Sequence, residues 1–142
     1  MKKSLSPMTI LFASLCLLAM ACKKSANAPA PSLQSKLVGK WTMVSAMGDY
    51  TMYGVSYKDT TYFTSADYYD FKTDSTLSIM SSGVAYNGKW QIDNNRLYIT
   101  ETNFMDDSGG YDLPVLDEHN LQIHNTDSTT NAISDQKLVL IR

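Results

Sequence analysis

A chain of 142 residues has room for one domain. Its formal net charge of −2, with no basic cluster in the part expected to fold, excludes nucleic acid as an expected partner. Both cysteines, Cys16 and Cys22, fall in the first 22 residues, so the domain beyond them has neither a disulfide nor a thiolate metal site.

The amino terminus reads as a leader. "MKKSLSPMTILFASLCLLAMAC" combines a basic start at Lys2 and Lys3, an apolar run from about Met8 to Met20, and small residues framing a cysteine. The run is short for a membrane span of roughly 20 residues. Its ending, Ala19-Met20-Ala21-Cys22, resembles the lipobox of bacterial lipoproteins, which implies acylation of Cys22 and cleavage before it. The division expected is a signal peptide over residues 1–21, a lipidated tether over 22–32 and a β-barrel domain over 33–142. Removing Lys2 and Lys3 with the leader leaves 10 basic against 14 acidic side chains. The tether, "KKSANAPAPS" after Cys22, is polar and Pro-containing, a composition that stays extended. Lys23 and Lys24 are placed either to meet anionic headgroups or to act as a plain spacer.

Ser32 is expected to cap a single helical turn carrying Leu33 and Leu37. Beyond it the apolar residues alternate with polar ones, the period of half-buried strands. Trp41, Met43 and Ser45 share one parity, as do Tyr69 with Phe71 and Leu77 with Ile79. Tyr86, Trp90 and Ile92 follow, then Leu97 with Ile99, Leu113 with Val115, Leu121 with Ile123, and Leu138 with Leu140. Turn signals stand at Gly48-Asp49, Thr73-Asp74, Asp93-Asn94-Asn95, Ser108-Gly109-Gly110 and Glu118-His119-Asn120. A further strand is expected in "YTMYGVSY", giving eight or nine antiparallel strands in about 110 residues. Eight such strands close into a barrel able to hold side chains or one small ligand. Most runs span six to eight residues, short of the ~9–11 that a membrane-spanning strand needs, so the apolar face is expected to point inward.

The Gly-Lys-Trp of "LVGKWTMVS", after a helical turn, resembles the opening of the lipocalins. The wider series resembles the small lipocalin-like lipoproteins of Bacteroidetes-type bacteria: the lipobox, "YDFKTDST", the second Gly-Lys-Trp before "RLYIT", "LDEHNLQI" and the closing "KLVLIR". The resemblance implies an all-β, up-and-down, eight-stranded barrel with a ninth strand. It also implies that Trp41 packs across the closed end beneath a stacked cation. Gly39 would let the backbone crowd the indole, and Arg142 is the expected cation, with Arg96 its rival. No acidic run follows Cys22, which in such bacteria resembles the pattern of an outer-membrane anchor facing the periplasm.

Catalysis is not expected. His119 and His124 are five apart and so point to opposite faces of a strand. No Ser-His-Asp set or thiol nucleophile is indicated, and "DDSGGYD" lacks the ordered spacing of a calcium loop. No cofactor and no metal are therefore expected. The segment from Tyr50 to Phe71 holds eight aromatics in 22 residues, with "SYKDTTYFTSA" as a loop or lid at the open end. Tyr53, Tyr69, Phe71, Tyr86 and Trp90 are the candidate ligand-lining residues. The expected partners are the membrane, through acylated Cys22, and a small apolar or amphipathic ligand. The alternative is an envelope protein partner bound by a barrel whose interior is filled.

Overall fold

The computed structural model describes residues 30–100, 102, 103, 109–130 and 132–142; Cys22 and Asp106–Ser108 lie outside them. A short helix, α1 (Leu33–Leu37), opens the fold. The Ser32 hydroxyl accepts from the Ser35 N–H at 3.1 Å, and Leu37 is its buried residue. Val38 turns to extended backbone and Gly39 takes φ +126°, a conformation that favours glycine, so the chain leaves the helix directly into strand.

Nine strands follow in chain order: β1 (Gly39–Met52), β2 (Val55–Tyr62), β3 (Tyr68–Phe71), β4 (Thr76–Ser81), β5 (Val84–Asp93), β6 (Arg96–Thr100), β7 (Asp112–Leu116), β8 (Asn120–Ser128) and β9 (Ala132–Ile141). All pairings are antiparallel, in the order β6-β5-β4-β3-β1-β9-β8-β7. The two ends of that sheet meet where Leu97 and Tyr111 exchange backbone hydrogen bonds, which all but closes an eight-stranded barrel. The ninth strand, β2, pairs with the outer half of β1, beside the half that pairs with β3.

Turn chemistry explains the meander. Tyr53-Gly54, Ser82-Gly83 and Asn94-Asn95 are two-residue links with positive φ at both positions, the geometry that matches strand twist. At Asp74 and Asp117 the carboxylate instead receives nearby backbone N–H groups, from Thr76 and from His119 and Asn120. A third carboxylate, Asp67, is 4% exposed. It accepts from the Thr64 N–H and hydroxyl and from the Ser82 N–H, tying the β2–β3 connection to the β4–β5 turn.

The expected alternation accounts for the core. Trp41, Met43, Tyr69, Phe71, Leu77, Ile79, Trp90, Leu97, Ile99, Leu121, Ile123, Leu138 and Leu140 are all buried. Polar residues such as Lys40, Asp70, Ser78, Asn87, Gln91 and Gln122 occupy the other face. That outer face suits water rather than acyl chains. Strand length is not the reason, since β1 has 14 residues and β5 and β9 have 10 each.

Four local expectations are corrected. Gly48-Asp49 is no turn; β1 runs through it, and the chain turns at Tyr53-Gly54. "YTMYGVSY" is accordingly not one strand but the hairpin between β1 and β2. Most of "SYKDTTYFTSA" is strand β2 rather than a lid loop. Finally, two bulges shift parity. One falls between Met43 and Ser45, so Ser45, though buried, pairs with Val139 while Ala46 takes the inward place opposite Leu138. The other falls between Asp112 and Val115, so Val115 pairs with Gln122 while Leu113 and Leu116 pack on the core. Pro114, which has no N–H for a ladder, sits in that second irregularity.

Candidate functional site

The closed end is built around Trp41, which is fully buried at the start of β1. Its indole N–H donates to the Leu37 carbonyl at 2.7 Å, using an acceptor left open by the end of α1. Because β9 pairs with β1, Arg142 arrives beside it, with the guanidinium carbon 4.1 Å from the ring centroid. The same guanidinium donates to the carbonyls of Glu118 (2.8 Å), Val38 (3.0 Å) and Lys36 (3.1 Å). Arg96 lies elsewhere, donating to the Gly110 carbonyl at 2.8 Å with Asp112 nearby at 3.3 Å. Gly39 crowds Arg142 rather than the indole: a Cβ there would stand 3.1 Å from Nη1 of Arg142. This end is filled and hydrogen-bonded, and has the character of a plug.

Above this floor comes a packed layer. Tyr69 stacks beside Phe71 (6.0 Å between centroids) and Phe71 meets the edge of Trp90 at 5.5 Å. The Trp90 indole N–H donates to the Lys72 carbonyl at 3.1 Å. Burial pushes the Tyr69 phenol far above its ordinary pKa, with Tyr111 adding a smaller effect, so it stays neutral.

The open end holds a cavity of about 280 Å³. Its base is apolar, formed by Met43, Phe63, Tyr69, Tyr111, Ile123 and Leu138. Its rim is polar, formed by Asp59 and Thr61 of β2, Asn125 of β8 and Gln136 of β9, with Tyr50 at the edge. Tyr50 lies down along the wall because Gly48 offers no side chain; a Cβ on Gly48 would come within 2.6 Å of the Tyr50 ring.

Of the candidate lining residues only Tyr69 borders this cavity. Phe71 and Trp90 are core, and Tyr86 packs half-buried against that core. Tyr53 is corrected outright: it occupies the β1–β2 turn, 80% exposed. Asn125 and Gln136 continue the inward parity of Ile123 and Leu138, but the β1 and β2 side of the rim was not read from the sequence, because the parity shift at the β1 bulge decides which residues there face inward. His119 sits in the β7–β8 turn, and Nε2 of His124 contacts Asp135 at 2.9 Å on the outer face. Among the described residues, no cluster of three or more His, Cys, Asp or Glu side chains could hold a metal ion.

Neither a curated protein nor a solved structure matches the chain. A family model described as a lipocalin-like domain matches residues 37–140, from the last residue of α1 to the penultimate residue of β9. With the barrel, its plugged floor and its open-end cavity in view, the chain belongs to the lipocalin-like domain family.

Proposed function

We propose that this protein is a non-catalytic binding protein of the bacterial cell envelope, anchored through acylated Cys22, that holds one small amphipathic molecule at the open end of its barrel. The observation that carries the reading is the cavity of about 280 Å³, with an apolar base and a polar rim. It lies just below the ~300–1,000 Å³ range usual for small-molecule sites, and it has their typical lining. A filled barrel serving only as a protein-docking module would not leave such a space.

The anchor rests on the leader and on the polar, Pro-containing segment after Cys22. Two acyl chains hold a protein stably at a bilayer where one does not. With no acidic run after Cys22, the outer membrane, periplasm-facing, is the location proposed.

Native mass spectrometry of the full chain, purified from the membranes of a bacterial host, tests the cargo. A reproducible added mass of a few hundred daltons or less, lost on denaturation and absent from Ala46→Phe, supports the reading. A clean apo mass that no added amphiphile alters would overturn it. The anchor is tested separately: Cys22→Ser should move the chain from the membrane to the soluble fraction.

A further inference from the structure

Above the Val44 bulge, strand register stacks the inward-facing residues in three rows. The lowest joins Thr61, Ala46, Leu138 and Ile123. The next joins Asp59, Gly48, Gln136 and Asn125. The uppermost joins Tyr57, Tyr50, Ser134 and Asp127. The two upper rows are therefore more polar than the lowest, and both charges in these rows are negative.

The neighbouring basic residues are on the other face. Lys58 pairs with Asp49 there, its ammonium 2.8 Å from the carboxylate. Lys137 borders the cavity, yet its register with Met47 and His124 places its side chain outside. Nothing basic in the three rows offsets Asp59.

Asp59 is also held in place. Its Oδ1 accepts the Thr60 N–H at 2.8 Å, which fixes the carboxylate at the cavity edge. Its other oxygen takes no hydrogen bond from the described residues. Beside it, Tyr50 is laid over Gly48, so an aromatic ring and a carboxylate border the same space. An ammonium group is the partner that both would attract, the carboxylate by charge and the ring by its negative face. A carboxylate or phosphate head would instead meet Asp59 as a like charge.

We propose that the ligand is a cationic amphiphile, an alkyl or arylalkyl ammonium, with its apolar part on the Met43, Tyr69 and Tyr111 base and its ammonium between Asp59 and Tyr50. The proposal rests on the cavity-binding reading above and names its ligand class. The small volume limits the tail to a short chain or one ring.

Isothermal titration of the full chain with octylammonium, 1-octanol and octanoate at pH 7 and low salt tests it. The tail is common to all three probes, so differences report the head group. Octylammonium should bind about tenfold or more tighter than 1-octanol, and octanoate weaker than 1-octanol. Asp59→Asn should bring octylammonium to the level of 1-octanol on the same variant. Lys58→Gln, on the outer face, should keep the wild-type order. Octanoate binding as tightly as octylammonium would overturn the proposal, as would an ammonium preference that survives Asp59→Asn. Binding of 1-octanol without any head-group preference overturns this proposal and leaves the cavity reading standing. Binding of none of the three overturns both.

Discussion

The guanidinium of Arg142 stands 4.1 Å over the ring of Trp41, joining the last residue of the chain to the start of the first strand. The contact closes the barrel floor and gathers the loose carbonyls at the end of α1. The Lys36 and Val38 carbonyls accept from the Arg142 guanidinium, and the Leu37 carbonyl accepts from the Trp41 indole N–H. Arg142→Ala should destabilise the fold by about 1–3 kcal/mol, combining a cation–π contact with hydrogen bonds from a charged group at a partly solvated site. Arg142→Lys keeps the charge but loses the planar fork, and should fall between the two. Urea unfolding checks both. Equal stability of all three proteins would show the floor contact to be ornamental.

Trp90 separates core from site. It is 2% exposed, meets Phe71 edge-on and is absent from the cavity lining. Trp90→Phe should cost about 1–3 kcal/mol, from lost volume and from the lost indole hydrogen bond to the Lys72 carbonyl, which keeps only the Ser75 N–H. Its affinity for 1-octanol should stay within about twofold of wild type by isothermal titration. A large loss of affinity with unchanged stability would place the indole in the site after all.

Ala46 is the reverse case. It packs at the edge of the core between Thr61 and Leu138 and borders the cavity, so added volume can extend into open space. Ala46→Phe should weaken 1-octanol at least tenfold while shifting stability by less than about 1 kcal/mol. Fluorescence-monitored unfolding and titration on the same preparation separate the two effects.

Acid should loosen the link between the β2–β3 connection and the β4–β5 turn. Hydrogen bonds from Thr64 and Ser82 hold the Asp67 pKa below the usual carboxylate value. Asp74 and Asp117 are lowered likewise, by Thr76 and by His119 and Asn120. A depressed folded-state pKa means that the stabilisation is fully present above the unfolded value of about 4 and is lost as pH falls below it. Thermal unfolding from pH 7 to pH 2 should show Tm falling below about pH 4. Asp67→Asn should lower Tm at pH 7, since an amide offers one acceptor oxygen where the carboxylate uses two. It should also flatten the acid-side slope.

The fold was largely legible because burial follows a period of two wherever a strand is regular. Trp41, Phe71, Leu97 and Leu140 could be placed inside from parity alone. The location of Arg142 followed from closure, which brings β9 against β1. The site was less legible for a physical reason. One extra residue in β1 reverses parity, so Ala46, Gly48 and Tyr50 face inward although Trp41 and Met43 do so below them. A bulge leaves no mark in composition. The aromatic abundance from Tyr50 to Phe71 marked the right end of the barrel but not the right rings: Tyr53 serves the turn and Phe71 the core, while Tyr50 and Phe63 border the cavity.

The most direct test of the account is a titration of isotope-labelled full chain with 1-octanol, followed by amide chemical shifts. Saturable shifts are expected, confined to the cavity wall at Ala46, Gly48, Thr61, Asn125 and Gln136, with Trp41 and Arg142 at the floor unmoved. Shifts centred on the floor or the outer face, or none at all up to the solubility of the alcohol, would contradict it.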